Sequence, residues 1–400
     1  MADLILTGIG HLTTNVGPPI PQAVVAVQGG RVVYAGTAAD APSTEGAVEI
    51  DCEDRAVVPG FVDAHTHLVF AGDRSAEFTR RMAGATYEEI AAAGGGILST
   101  VEATRTATEQ QLYELAARRV KRLLSAGTTT VEVKSGYGLD TETEVRLLKV
   151  AKRLARDLPV TVKTTFLGAH SVPPEFRERR DAYIDLIIEE MLPAVAPLAD
   201  YCDVFVEEGV FDADEARAIF DAASALGLGA RVHAEQLGQS GGARLAAEIS
   251  ASSADHLDHA DADDAAALAE AGVAAVLVPG ASYSLRSSQA PGPTLWEAGC
   301  TVALATDCNP GTSYFEAIGP IISLAVVQMG LTSEQALWAA TRGGAISLGL
   351  DEKGIITRGS SADIVVLDAP TPDHIPYRPA TNLVRKVISG GRLGVDAASR

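Results

Sequence analysis

The sequence predicts a (β/α)8 TIM barrel with a small β-sandwich domain formed from both chain termini. Three observations carry this. The middle of the chain alternates short apolar runs with Ala-rich helical patterns about eight times, as a parallel barrel requires. Both ends are β-rich and flank that middle. Residue types able to bind a metal recur at the ends of the predicted strands, where barrels of this kind keep reactive groups. A doubly wound open sheet is the structural alternative. No GxGxxG or GxxxxGK[ST] opens a helix, so a nucleotide-binding version of it has no support.

The small domain is expected over 1–58 and 352–400. AVVAVQGGRVVYAG reads as a hairpin about Gly29-Gly30, and AVEIDCEDRAVVPG adds further strands. Near the other end, GSSADIVVLDA and NLVRKVISGGRLGV repeat the pattern, with Gly390-Gly391 at a second turn. The barrel is expected over 59–351. GFVDAHTHL opens it, and TTTVEVKSGYG, PVTVKTTFLGAH, YCDVFVEEGVF, GARVHAEQL, SADHLDHA, VAAVLVPG and WEAGCTVALATDCNPG follow, separated by helical patterns. In LTSEQALWAAT, Ser333 stands near the expected helix start.

A length of 400 residues suits one barrel plus a modest second domain, and 47% hydrophobic residues supply a large core. Lys and Arg number 32 against 52 Asp and Glu, a formal charge of −20. That field repels nucleic acid and anionic membranes, and an anionic ligand would need its own local cation. Cys52, Cys202, Cys300 and Cys308 show no CxxC spacing and read as buried reduced thiols. MADLILTGIG is too short and polar for a signal peptide. The longest apolar run, 318–329, is interrupted by Pro320, Ser323 and Gln328. A cytoplasmic protein is expected.

The strongest local signal is Asp63-Ala-His65-Thr-His67 after the run 57–62. Residues i and i+2 of a strand share a face, so both imidazoles can reach one metal. His170, His233 and His256 end three further predicted strands, and Asp307 closes another. Five of the eight histidines thus fall at four strand ends, whereas scattered structural histidines would sit in helices and loops. His11, His259 and His374 lie elsewhere and receive no role.

PGFVDAHTHLVFAGDR, the GGGI segment, VEVKSGYGL, FLGAH with PPEF, VHAEQ, SADH and TDCNPGT occur in an order that resembles the imidazolonepropionase family of the amidohydrolase superfamily. HxH marks only the superfamily; AGDR, KSGYGL and DCNPGT together mark the family. The resemblance covers nearly the whole chain. It implies metal ligands His65, His67, His233 and Asp307, with one zinc or iron ion per chain. It places Arg74, Tyr137, His170 and Gln236 around an imidazolone substrate, and Asn309, Gly311 and Thr312 against substrate or product. It suggests a homodimer acting on a small molecule, 4-imidazolone-5-propanoate, and opening its ring with water.

Amide carbons are poor electrophiles and water is a poor nucleophile, so a Lewis-acid metal and oriented donors suit this chemistry. His170 is placed to assist the developing oxyanion, and Arg74 to hold the propionate in a bidentate pair, unless it forms an ordinary surface salt bridge. Some family members carry an acid where this chain has Gln236, which cannot shuttle protons. Glu235, at i+2 from His233, would share its face in a regular strand. His256 and Asp307 are the stronger candidates for water activation. Lys134 stands on the third strand of this count; the lysine that bridges two metals in some amidohydrolases belongs on the fourth, where His170 stands, so a mononuclear site is expected. Gly94-Gly95-Gly96 reads as a cover over the site or as a linker to the next helix. Rival readings are a deaminase of a cyclic nitrogen compound and a non-catalytic metal-binding barrel.

Overall fold

The computed structural model describes residues 2–43, 45–85, 89 and 95–396. Its barrel strands are β5 (Phe61–Asp63), β6 (Thr128–Lys134), β7 (Thr161–Ala169), β8 (Tyr201–Phe205), β9 (Gly229–Ala234), β10 (Ser253–His256), β11 (Ala274–Leu277) and β12 (Val302–Leu304). They lie side by side in chain order, and every neighbouring pair is parallel. The first and last strands meet just beyond their ends. There the Asp307 N–H donates to the His65 carbonyl at 3.0 Å and the His67 N–H to the Cys308 carbonyl at 3.1 Å. The same seam is stitched by Asp63, whose carboxylate accepts from Thr306 N and Oγ1 at 2.9 and 2.7 Å.

Strand alternation explains what fills the barrel. Val131 and Val133 of β6, Cys202 and Val204 of β8, and Val232 and Ala234 of β9 pack outward into the apolar clusters beneath the helices. Their neighbours Glu132, Lys134, Asp203 and Arg231 turn inward, buried, where Lys134 and Arg231 bridge Glu132, Asp203 and Asp255 of β10. The lumen is therefore a charged floor whose members neutralise one another. Among the surrounding helices, Glu109–Ser125 starts at a Thr108–Gln111 capping box. Helix Ser333–Trp338 is capped by Thr332, one residue before the expected Ser333, because Thr332 and Gln335 complete the reciprocal bonds.

The terminal segments form one seven-stranded mixed sheet. Its strands are β1 (Leu4–Leu12), β2 (Ile20–Gln28), β3 (Arg31–Thr37), β4 (Val48–Pro59), β13 (Ile364–Leu367), β14 (Val384–Ser389) and β15 (Arg392–Asp396). Their order is β15-β14-β13-β4-β1-β2-β3. β4 lies between a parallel partner from the N-terminal side and an antiparallel one from the C-terminal side. Gly29-Gly30 and Gly390-Gly391 all have positive φ, as tight hairpin turns demand. The two turns touch: a Cβ on Gly391 would lie 2.7 Å from the Gly30 Cα. Only Gly60 separates β4 from the first barrel strand.

The strand count changes one expectation. Lys134 ends the second barrel strand and His170 follows the third, because the stretch between β5 and β6 holds only helices among the described residues. The fourth strand, β8, contributes no lysine. Gly94 lies outside the described residues, so the expected cover over 94–96 is not described; Gly96 precedes helix Ile97–Thr106.

Candidate metal centre

His65 and His67 follow β5 on one face, His233 lies in β9, His256 ends β10 and Asp307 follows β12; all five are buried. His65 Nε2 is 3.2 Å from His67 Nε2 and 3.6 Å from Asp307 Oδ1, and His67 Nε2 is 3.5 Å from the same oxygen. An ion bonded at about 2.0–2.2 Å separates its tetrahedral donor atoms by about 3.3–3.6 Å. Two triads have donor atoms within 4.8 Å of one another: His65 with His67 and His233, and His65 with His256 and Asp307. His256 thus stands as close to the centre as the expected ligands do.

The charge states suit a cation. Burial first, and then neighbouring cationic or ionisable groups, hold His65, His67 and His256 well below the ordinary imidazole range, so they present lone pairs. Burial pushes Asp307 well above the carboxylate range, and its Oδ1 has no hydrogen-bond partner. A cation among these atoms would return Asp307 to its ionised form. On His65 and His233 the other ring nitrogen faces a carboxylate, whereas Nδ1 of His67 and of His256 has no partner. His65 Nδ1 is 2.6 Å from Asp255 Oδ2, and His233 Nδ1 is 2.9 Å from Asp203 Oδ2, the latter an ion-pair contact without hydrogen-bond alignment. A carboxylate on Nδ1 fixes the tautomer that aims Nε2 at a metal. The donor set fits the metal that the resemblance implies.

Lys134 secures both carboxylates. Its Nζ lies 2.7 Å from Asp203, 2.9 Å from Glu132 and 3.3 Å from Asp255, and Arg231 approaches Asp255 at 3.5 Å. Burial would favour neutral Lys134, but these acids hold it charged. Burial likewise opposes ionised Asp203, yet His233 and Lys134 pull its pKa down to about 2. With its ammonium spent on three carboxylates, Lys134 is an orienting group beneath the site.

A cavity of about 440 Å³ opens above the cluster, lined by His67, His233, His256 and Asp307 below and by Arg74, Tyr137, His170, Gln236, Asn309, Gly311 and Thr312 around it. Tyr137 is held by its loop. Glu144 accepts from the N–H groups of Gly136, Gly138 and Leu139 at 2.7–2.9 Å. Gly136 has φ +99°, and a Cβ there would meet the Leu167 carbonyl at 2.9 Å, so glycine is required. Burial pushes the Tyr137 phenol far up, which leaves it a donor.

Four of the expected site residues already have partners in the structure. His170 stacks on His67 and places Nδ1 2.9 Å from the Gly136 carbonyl. Burial, then His233, lowers its pKa to about 4, so it is neutral at pH 7 and its one N–H is spent on that carbonyl. In that tautomer Nε2 offers a lone pair to the cavity. Glu235 leaves the face of His233, because β9 ends at Ala234 and Glu235 takes φ +53°. Its carboxylate accepts from Ser240 N and Oγ and from Ala243 N instead. Arg74 is already engaged: Nε and Nη2 donate to the two Glu77 oxygens at 2.9 and 2.5 Å. Asn309 is also occupied, with Oδ1 accepting from Gly311 and Thr312 N–H and Nδ2 donating to the Asp307 carbonyl.

Sequence reasoning missed one cavity residue of consequence, Arg81. Its signal was present: 77 and 81 stand at the i, i+4 spacing of one helical face, and helix Ser75–Met82, which follows Arg74, carries them.

Comparison with known proteins follows the same lines. Solved structures share the fold at low identity: a triazine hydrolase variant (TM-score 0.75, 17% identical, covering 98% of this chain and 94% of that one) and a zinc-bound adenosine deaminase from Xanthomonas campestris (0.72, 19%, 99% and 93%). The amidohydrolase family model matches residues 56–394. The imidazolonepropionase of Symbiobacterium thermophilum is 48% identical, over 98% of this chain and 97% of its own. That of Myxococcus xanthus is 49% identical, over 94% and 91%. The chain belongs to the imidazolonepropionase family of amidohydrolases.

Proposed function

We propose that this chain opens the ring of 4-imidazolone-5-propanoate with water to give N-formimidoyl-L-glutamate, a step of histidine degradation. One observation carries the reading to this chain's own residues. The buried donor cluster floors a cavity whose wall carries guanidinium groups, which suits a ligand with an amide-like ring at one end and a carboxylate at the other. The imidazolonepropionases similar to this chain over nearly its whole length support the same substrate.

One zinc or iron ion per chain, held by His65, His67, His233 and Asp307, supplies the Lewis acidity that makes water nucleophilic and polarises the ring amide. His256 is neutral and accepts the proton that the attacking water gives up, with Asp307 beside it; it returns the proton to the ring nitrogen as the C–N bond breaks. His170 accepts from a ring N–H through Nε2. The Tyr137 phenol supplies a donor, and Gln236, Gly311 and Thr312 complete the cavity wall. The enzyme acts as a cytoplasmic homodimer on this small molecule. A charge of −20 argues against nucleic-acid partners, and no described helix is long and apolar enough to cross a membrane.

The test mixes metal-replete enzyme with freshly generated imidazolonepropionate and follows loss of ring absorbance. Loss that stops on chelation supports the reading. An unchanged ring overturns it.

A further inference from the structure

We propose that Arg119, which stands behind the cavity wall, is a positioning residue that fixes two ligand-bearing loops over the metal-ligand cluster. The inference rests on the substrate assigned above, since it concerns the groups that would hold it.

Arg119 belongs to helix Glu109–Ser125 and is buried. Its guanidinium reaches two segments far apart in sequence. Nη1 donates to the Leu68 carbonyl at 2.9 Å and to the Phe70 carbonyl at 3.0 Å. Nε donates to the Tyr314 hydroxyl at 3.2 Å. The guanidinium carbon stands 3.5 Å from the centre of the Phe70 ring. Phe70 in turn meets Tyr314 and Tyr137 edge-on, with ring centres 5.7 and 6.2 Å apart.

The cargo of these segments gives the contacts their meaning. Leu68 directly follows His67, and Phe70 leads into Arg74. Asp307, Gly311 and Thr312 precede Tyr314. Arg74, Tyr137, Gly311 and Thr312 all line the cavity. The two segments close on each other there, since a Cβ on Gly311 would run into the Arg74 guanidinium. One buried side chain therefore ties both walls together and backs the ring that touches a third.

Packing alone does not account for it. Leu112, Ala116, Val120 and Leu123 already seat this helix in the apolar cluster that holds Leu68 and Phe70. Burying a charge is unfavourable, and these partners of Arg119 are neutral: two carbonyls, a hydroxyl and an aromatic face. An apolar residue would seat the helix without that penalty. What the guanidinium adds is a rigid fork of donors, able to hold carbonyls and a hydroxyl at fixed mutual spacing. A ligand site needs such support, because groups displaced by about 1 Å lose much of their effect. His65 and His67 have separate anchors in Asp255 and the Cys308 carbonyl, so the metal should not depend on Arg119.

The probe is imidazole-4-propanoate. Its binding to metal-loaded enzyme is measured by calorimetry, with metal content and thermal melts taken on the same samples. Wild-type turnover of imidazolonepropionate is followed separately, so failure of the assigned reaction is distinguishable from failure of this assignment. Arg119→Ala should keep its metal and bind the probe about 10- to 100-fold more weakly. Methylguanidinium added to Arg119→Ala should restore part of that affinity, and methylammonium should not. Arg119→Lys, charged but without the fork, should also bind weakly, and Tyr314→Phe should lose roughly threefold through the missing hydroxyl. A role confined to stability would lower the melt and leave the folded enzyme's affinity at its wild-type value. Wild-type affinity in folded Arg119→Ala overturns the proposal; should that variant not fold, wild-type affinity in Arg119→Lys and Tyr314→Phe overturns it.

Discussion

Asp63 and Thr306 face each other across the barrel seam, joined by two hydrogen bonds at 2.9 and 2.7 Å. One lies two residues before the first metal-ligand candidate, and the other immediately before the last. The pair therefore sets the spacing between His65 and Asp307. Replacing Thr306 with valine keeps the shape but removes the hydroxyl from Asp63 Oδ2 and from the Cys308 N–H. We expect a loss of about 1–3 kcal/mol in denaturant unfolding. Stability within a few tenths of wild type would mean that the seam does not depend on this pair.

One transition metal per chain is expected, lost or badly weakened in His65→Ala, His233→Ala and Asp307→Ala. Lys134→Met should keep all four ligands yet lower metal affinity about 10- to 100-fold, because Asp203 and Asp255 lose the cation that holds them against His233 and His65. Elemental analysis and chelator competition measure both. Two metals per chain would end the mononuclear reading, and wild-type affinity in Lys134→Met would remove its orienting role.

His256→Ala should nearly abolish turnover while leaving most of the metal bound; Gln236→Ala should hurt less and keep the shape of the pH profile, since an amide does not titrate. The structure sharpens the test, because His256 also falls in a ligand-spaced triad with His65 and Asp307. Metal loss in His256→Asn would make it a ligand. Retained metal, largely retained activity and an unshifted acidic limb would return the proton role to Asp307.

Asp258, two residues beyond His256, offers a pH test of stability. It is buried, its Oδ1 has no partner, and Ser282 bonds its Oδ2 at 2.8 Å. Burial, only partly offset by Ser282, pushes its pKa up to about 8 from 3.8. The folded state binds this proton more tightly than the unfolded one. Its contribution is therefore fully present below about pH 4 and is lost as pH rises through about 8. Asp258→Asn should be more stable than wild type at pH 9, by on the order of a few kcal/mol, and should lose that advantage near pH 5. Denaturation at the two pH values decides; an identical difference at both would show that Asp258 ionises normally.

Much of the site was legible because its pattern is local. The HxH spacing survives in any strand, and Asp307 follows an unmistakable apolar run. Both hairpin turns could be read from paired glycines. What was hidden depends on partners far away in sequence or on single dihedral angles. Glu235 looked aligned with His233 until a positive φ ended the alternation. The partner of His170 Nδ1, the Gly136 carbonyl, lies 34 residues away and could not be read from sequence. For Arg74 the sequence allowed either a ligand contact or a salt bridge, and could not name Glu77 as the partner. Arg81 lines the same cavity and was passed over for standing seven residues further from HxH.

The placement of β4 between β1 and β13 has a consequence for synthesis. β4 ends at Pro59, and its antiparallel partner begins at Ile364, about 300 residues later. At ~5–20 residues per second, a ribosome needs roughly 15–60 s to bring the second strand out. Throughout that interval the nascent chain presents an unpaired β edge, the kind of template on which chains aggregate. The touching turns at Gly30 and Gly391 can form only after Gly391 itself has been made. A stalled or truncated nascent chain therefore keeps that edge open, whatever the state of its barrel.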